Sequence, residues 1–235
     1  MQNPILIAFF LFISFSVFSQ QADRNLKDID IALSRCCHLR SQHVFSEQRE
    51  EVMGGFDSMM FKIVSYPESF HFPFDSLERC IYITYSNDSS LKCYSYDNLD
   101  GGSAHTYTNI ISFFNEEGQY VSHNLKAELE SPMVGYFEIH QIKPFHLNII
   151  LFMGFGTYGG GKEHMSIQLF EMQKDSLIEC FSCYEDYSPL FFEQNRGQDF
   201  EIVYDAYLQQ IKAKVYEFDN NTGFFTDEFQ IETYS

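Results

Sequence analysis

From Pro73 onward the sequence is a succession of short runs rich in Tyr, Phe, Ile and Val, each broken by Gly, Asn, Asp or Ser. Alternation within runs of that length is the period of a half-buried strand, and the breaks are turn formers. The candidate strands are Cys80–Tyr85, Leu91–Tyr96, Thr106–Phe114, Gln119–His123, Val134–Ile142, Leu147–Phe155, Ser166–Met172, Phe200–Ala206, Ile211–Phe218 and Glu228–Thr233. Asn115–Gly118, Lys174–Ser176 and Asp219–Gly223 read as hairpin turns. Ile149–Phe155 is apolar at nearly every position, as in a central strand covered on both faces. No strand–helix alternation occurs, which excludes the doubly wound α/β folds.

Helical periodicity is confined to the front of the chain. Leu26, Ile29, Leu33 and Cys36 or Cys37 share one face of a helix expected over Ala22–Arg40. A second helix is expected over Ser46–Ser65, with Ser46 as its cap and Val52, Phe56, Met59 or Met60, and Ile63 as its apolar stripe. Pro67 closes it, while Gly54 and Gly55 inside it each cost about 1 kcal/mol relative to Ala. The fold class that follows is α+β, mainly β: N-terminal helices packed on an antiparallel sheet, with a partial propeller-like or sandwich arrangement as the alternative. A helical segment over 20–66 and a β-rich domain over 67–235 are expected to fold as one unit.

Residues 1–19 carry no charged side chain and hold an apolar run, Ile5–Phe18, too short to cross a bilayer. With small residues before a cut near Ser19, this reads as a secretory signal peptide and places the protein in the periplasm or the medium. The 15 Lys+Arg stand against 33 Asp+Glu, so the formal charge of −18 belongs wholly to the exported part. That sign excludes a phosphate backbone as partner, and 17% aromatic content excludes a disordered acidic tail. No later run is apolar enough for stable insertion into a membrane as a helix.

The pattern Gly-Gly-x-x-His occurs twice, at Gly101-Gly102-Ser103-Ala104-His105 and at Gly160-Gly161-Lys162-Glu163-His164. Each copy falls between two candidate strands. As structure, this is a repeated hairpin whose glycines supply positive φ, with a His at each strand start. As chemistry, His105 and His164 could converge with Asp97, Asp100 or Glu163, binding a divalent metal or serving as acid and base. No G-x-S-x-G, H-E-x-x-H or P-loop accompanies them, so the common hydrolase and NTPase signatures are missing. Six Cys permit disulfides in an exported chain. Cys36 and Cys37 diverge on a helix, and the hairpin near Asp88 keeps Cys80 from Cys93. Cys180-Phe-Ser-Cys183 reads as a local disulfide or a pair of buried thiols, with thiol-redox chemistry as the rival.

The stretch Ser86-Asn87-Asp88-Ser89-Ser90-Leu91-Lys92-Cys93-Tyr94-Ser95-Tyr96-Asp97, continuing through Gly101-Gly102-Ser103-Ala104-His105, resembles a segment of uncharacterised exported proteins of Bacteroidota-type bacteria. Phe72-Pro73-Phe74-Asp75-Ser76-Leu77 and the leader ending in Phe-Ser-Gln fit the same group, although the group carries Trp where this chain has Tyr96. The resemblance implies export and a β-rich domain and transfers no activity. The expected function is therefore an exported binding or interaction module for a small molecule or a protein. The alternatives are a metal-assisted hydrolase using His105 and His164, and a thiol-redox protein using Cys180 and Cys183. No cofactor is called for.

Overall fold

The computed structural model describes residues 26–43, 47–100, 102–125, 134–142, 148–157, 159–184 and 188–235. The expected leader, the Ser46 cap and Gly101 lie outside the described residues. The chain divides into two compact units, Met1–Cys80 and Ile81–Ser235.

The first unit holds helices α1 (Leu26–Gln42) and α2 (Arg49–Val64). The buried positions of α1 are Asp30, Leu33, Cys37 and Arg40, so the stripe is rotated from the apolar one that begins at Leu26 and Ile29. Polar groups at its two ends find specific partners. The Asp30 carboxylate accepts the backbone N–H groups of Ser76 and Leu77, both at 2.9 Å, at the start of a 3-10 turn over Leu77–Arg79. The Arg40 guanidinium lies 4.5 Å from the centre of the Phe56 ring on α2, a cation–π contact. Gln48, not Ser46, occupies the N-cap position of α2. The expected stripe of α2 is buried as a whole: Val52, Phe56, Met59, Met60 and Ile63, joined by Met53 and Val64, with Gly54 on the exposed side. A disulfide between Cys37 and Cys80 ties α1 to the end of this unit.

The second unit is a set of antiparallel meanders with twelve strands among the described residues. The first sheet runs β1 (Tyr82–Tyr85), β2 (Leu91–Asp97), β3 (Tyr107–Phe114) and β4 (Tyr120–Asn124), in sequence order. The second contains β5 (Gly135–Ile142), β6 (Ile149–Thr157), β7 (Lys162–Gln173) and β8 (Ser176–Glu179), with β9 (Leu190–Asn195) also paired to β7. The third runs β10 (Ile202–Asp205), β11 (Gln210–Asp219) and β12 (Phe224–Tyr234). The three expected hairpin turns are present: Gly118 and Gly223 take positive φ, and Lys174 turns the β7–β8 hairpin at φ 46°. The strands β8 and β9 were not legible as alternating runs, and β7 begins four residues before the expected Ser166.

The sheets stack through two apolar layers. Leu91, Cys93, Ile111 and Phe113 of the first sheet pack with Ile150, Phe152 and Phe170 of the second. Leu151, Met153, Met165 and Ile167, on the opposite face of the second sheet, pack with Ile211 and Ala213 of the third. Successive residues of β6 thus point into different cores, which is why Ile149–Phe155 reads as continuously apolar. Two glycines make room for neighbouring side chains. A Cβ at Gly154 would lie 2.4 Å from Val134 Cγ2, and one at Gly135 would lie 2.8 Å from the Tyr107 ring.

Candidate functional site

The strand ends that carry the two glycine loops build the first candidate region. Asp97 closes β2 opposite Tyr107. Its Oδ1 accepts the Leu99 N–H at 2.7 Å, and its Oδ2 is in short contact with Nδ1 of His105. Leu99 takes φ 55° to make this turn. Held by a carboxylate at Nδ1, the His105 ring is oriented and presents Nε2 for other chemistry, and about a quarter of the side chain is exposed. Asp100 accepts both the N–H (3.3 Å) and the hydroxyl (2.5 Å) of Thr106. Burial first, and then the Asp97 charge, push the Tyr107 phenol up to about 12.

The second loop is a glycine turn over Gly159–Gly161, with Gly160 and Gly161 in the left-handed region at φ 75° and 81°. Glu163 accepts a hydrogen bond from Gln194 Nε2 at 3.0 Å. His164 is not a loop residue. It lies inside β7, 2% exposed, with its ring 5.0 Å from that of Phe191. The polar start of β7 is ordered as a strand because β6 and β9 flank it on both sides: His164 sits opposite Gly156 on one and Glu193 on the other.

The loops themselves come together. A Cβ at Gly159 would lie 3.4 Å from Ser103 Oγ. Arg196 spans the two: its backbone N–H donates to Gly161 O at 2.8 Å, and its Nη2 donates to Ser103 O at 2.8 Å. Neighbours of Arg196 extend the junction to the third sheet. The Asn195 side-chain amide donates to Phe225 O (2.6 Å) and accepts from Phe225 N–H (3.0 Å), and Gln198 Nε2 donates to Thr226 O (2.7 Å). The segment 194–198 is thus the hub of this end, and sequence reasoning passed over it because β9 itself went unrecognised. The two loops of the repeated glycine pattern lie beside each other, and their imidazoles occupy different settings. Among the described residues, no group of three or more His, Cys, Asp or Glu is placed to hold a metal ion.

A second candidate region is the outer face of the third sheet. Ile211, Ala213 and Val215 point into the inner core, and their partners on β12 are Tyr234, Glu232 and Gln230. The other parity faces outward, Lys214 beside Ile231 and Lys212 beside both Thr233 and Val203, while Tyr216 beside Phe229 is buried, its hydroxyl donating to Asp199 O at 3.2 Å. Val203 is 59% exposed, Ile231 58% and Phe229 51%. The Lys214 ammonium lies 4.2 Å from the centre of the Phe229 ring. Tyr207, Leu208, Phe218 and Phe224, at the turns of the same sheet, are exposed as well.

The six cysteines form two disulfides and leave two free thiols. Cys180 and Cys183 are joined as a disulfide around the 3-10 turn Phe181–Cys183. Cys93 is a free thiol pushed up to about 12 by burial, and burial also raises that of Cys36. Compared with known proteins, the chain matches no family model, no curated protein and no solved structure.

Proposed function

We propose that this is an exported interaction module whose contact surface is the outer face of the third sheet. The observation that carries the reading is the inverted alternation of β12: Phe229 and Ile231 face outward, while Gln230 and Glu232 take the core-side parity. Burying large apolar side chains is worth about 1.5–3 kcal/mol each, so a sheet that leaves them outside forgoes folding energy that a partner can recover. Two disulfides among the described residues suit an oxidising compartment. No helix among the described residues is long and apolar enough to cross a membrane. The test is a variant carrying Val203→Ser, Phe229→Ser and Ile231→Ser, expressed in the native host. Surface changes of this kind leave stability within about 0.5 kcal/mol. On native electrophoresis of the exported fraction the wild-type chain runs as a complex and the variant runs free; equal migration of both contradicts the reading.

The Asp97–His105 pair supports a second reading, acid–base hydrolysis at the loop end, because a carboxylate on Nδ1 fixes the ring's orientation and leaves Nε2 to face a substrate. It requires turnover of a simple nitrophenyl ester or phosphate that His105→Ala and Asp97→Asn both remove. Absence of turnover in the wild-type chain, with and without added divalent metal, rules it out.

A further inference from the structure

We infer that the open half of the β12 edge, from Asp227 to Tyr234, binds an extended, cationic segment of a partner protein as an added strand. The inference rests on the third sheet being the contact surface and names the chemistry of what binds there.

β12 is the end strand of its sheet among the described residues. Its two halves are treated differently. At the start, the side-chain amides of Asn195 and Gln198 occupy the outward backbone groups of Phe225 and Thr226, as a neighbouring strand would. Beyond Thr226 the edge continues without such a cover among the described residues. Its polarity follows from the ladder. The Lys214 N–H donates to Glu201 O, away from β12, so Ile211, Ala213 and Val215 are the residues of β11 that bond to β12. Their partners Tyr234, Glu232 and Gln230 turn inward, and Phe229, Ile231 and Thr233 direct N–H and C=O groups out of the sheet. Such a row is the template for strand addition.

The side chains along this edge specify the guest. Phe229 and Ile231 lie on one face, and Gln230 and Glu232 alternate with them. The Glu232 carboxylate accepts from Gln230 Nε2 at 2.6 Å and from the Tyr234 hydroxyl. The exposed Asp227 and Glu228 sit in the register shift just before Phe229. Cross-strand neighbours interact directly, so the complementary strand alternates apolar residues with Lys or Arg. A second copy of this chain is a poor guest. It would bring the same carboxylates of Asp227, Glu228 and Glu232 to the seam with no Lys or Arg on either strand.

The probe is a short synthetic peptide alternating lysine and valine, with a glutamate–valine peptide as its counterpart, titrated into the full chain. Binding of the lysine peptide is expected to slow amide exchange at Phe229, Ile231 and Thr233 and to weaken with salt. Ile231→Pro deletes an outward N–H without touching the ladder to β11, and it is expected to weaken binding about tenfold. Glu228→Lys with Glu232→Lys is expected to reverse the preference toward the glutamate peptide, and this variant needs no backbone change. Binding that survives Ile231→Pro but is lost on Val203→Ser overturns the edge while leaving the face as the contact surface. Failure of the lysine peptide to bind, or equal binding by the charge-reversed variant, overturns the inference outright.

Discussion

Arg196 holds Ser103 across 93 residues of chain, Nη2 to carbonyl oxygen at 2.8 Å, while its own N–H holds Gly161. One residue at the end of β9 therefore couples the hairpin loop of the first sheet to that of the second. Arg196→Ala removes the guanidinium bond and keeps the backbone one. The expected loss is on the order of 1 kcal/mol in denaturant unfolding, with faster amide exchange over 102–106. Unchanged exchange there would show that the loops are held by something else.

The Cys37–Cys80 disulfide closes a separation of 43 residues, and Cys180–Cys183 one of 3. Loop-closure entropy assigns about 4 kcal/mol to the first and about 1.5 kcal/mol to the second. Paired Ser substitutions at 37 and 80 should therefore lower the melting temperature of the first unit far more than paired substitutions at 180 and 183 lower that of the second. Calorimetry on the full chain reads both, and equal shifts would contradict the ordering.

Gly154→Ala sets a methyl 2.4 Å from Val134 Cγ2 in the packed second sheet. The expected destabilisation is about 1–3 kcal/mol. Val134→Ala in the same chain should recover part of it, so the double variant loses less than the sum of the two singles. Strict additivity would mean the two backbones have moved apart.

Lys92 is buried on β2, its ammonium 4.8 Å from the ring centre of Tyr94 and 4.9 Å from that of Tyr85, and burial holds it down at about 7 against an ordinary 10.5. Between those values the unfolded chain keeps a proton that the folded chain has released, so this residue makes stability rise with pH from about 7 upward. Lys92→Met should abolish that rise and gain most below pH 7. Parallel urea titrations across the range test it. An identical pH dependence in both chains would place the charge in a solvated site.

Much of the architecture was legible because turns and alternation are local. Gly118 and Gly223 turn where their residue type allows positive φ, Lys174 turns where the sequence breaks between strands, and β6 reads as apolar throughout because both its faces are covered. β9 was not legible: Leu190-Phe191-Phe192 runs apolar into Glu193-Gln194-Asn195 without alternating, and its pairing comes from β7, far away in sequence. The same blindness hid Arg196. Alternation locates β12 as a strand but does not say which of its two faces meets the core. What turns Phe229 and Ile231 outward is register with β11, where Ile211, Ala213 and Val215 claim the core. His164 falls where the second strand of the glycine hairpin was expected to begin, and β7 starts two residues before it because flanking strands on both sides order that polar stretch.

The most direct test of the interaction reading is site-specific photo-crosslinking in the native host, with a photoreactive residue placed at Ile231 on the outer face of the third sheet. Ile178 on β8, 49% exposed, is the control position. The account predicts a discrete adduct of one mass from position 231 and none from 178. No adduct at 231, or the same adduct from both positions, would contradict it.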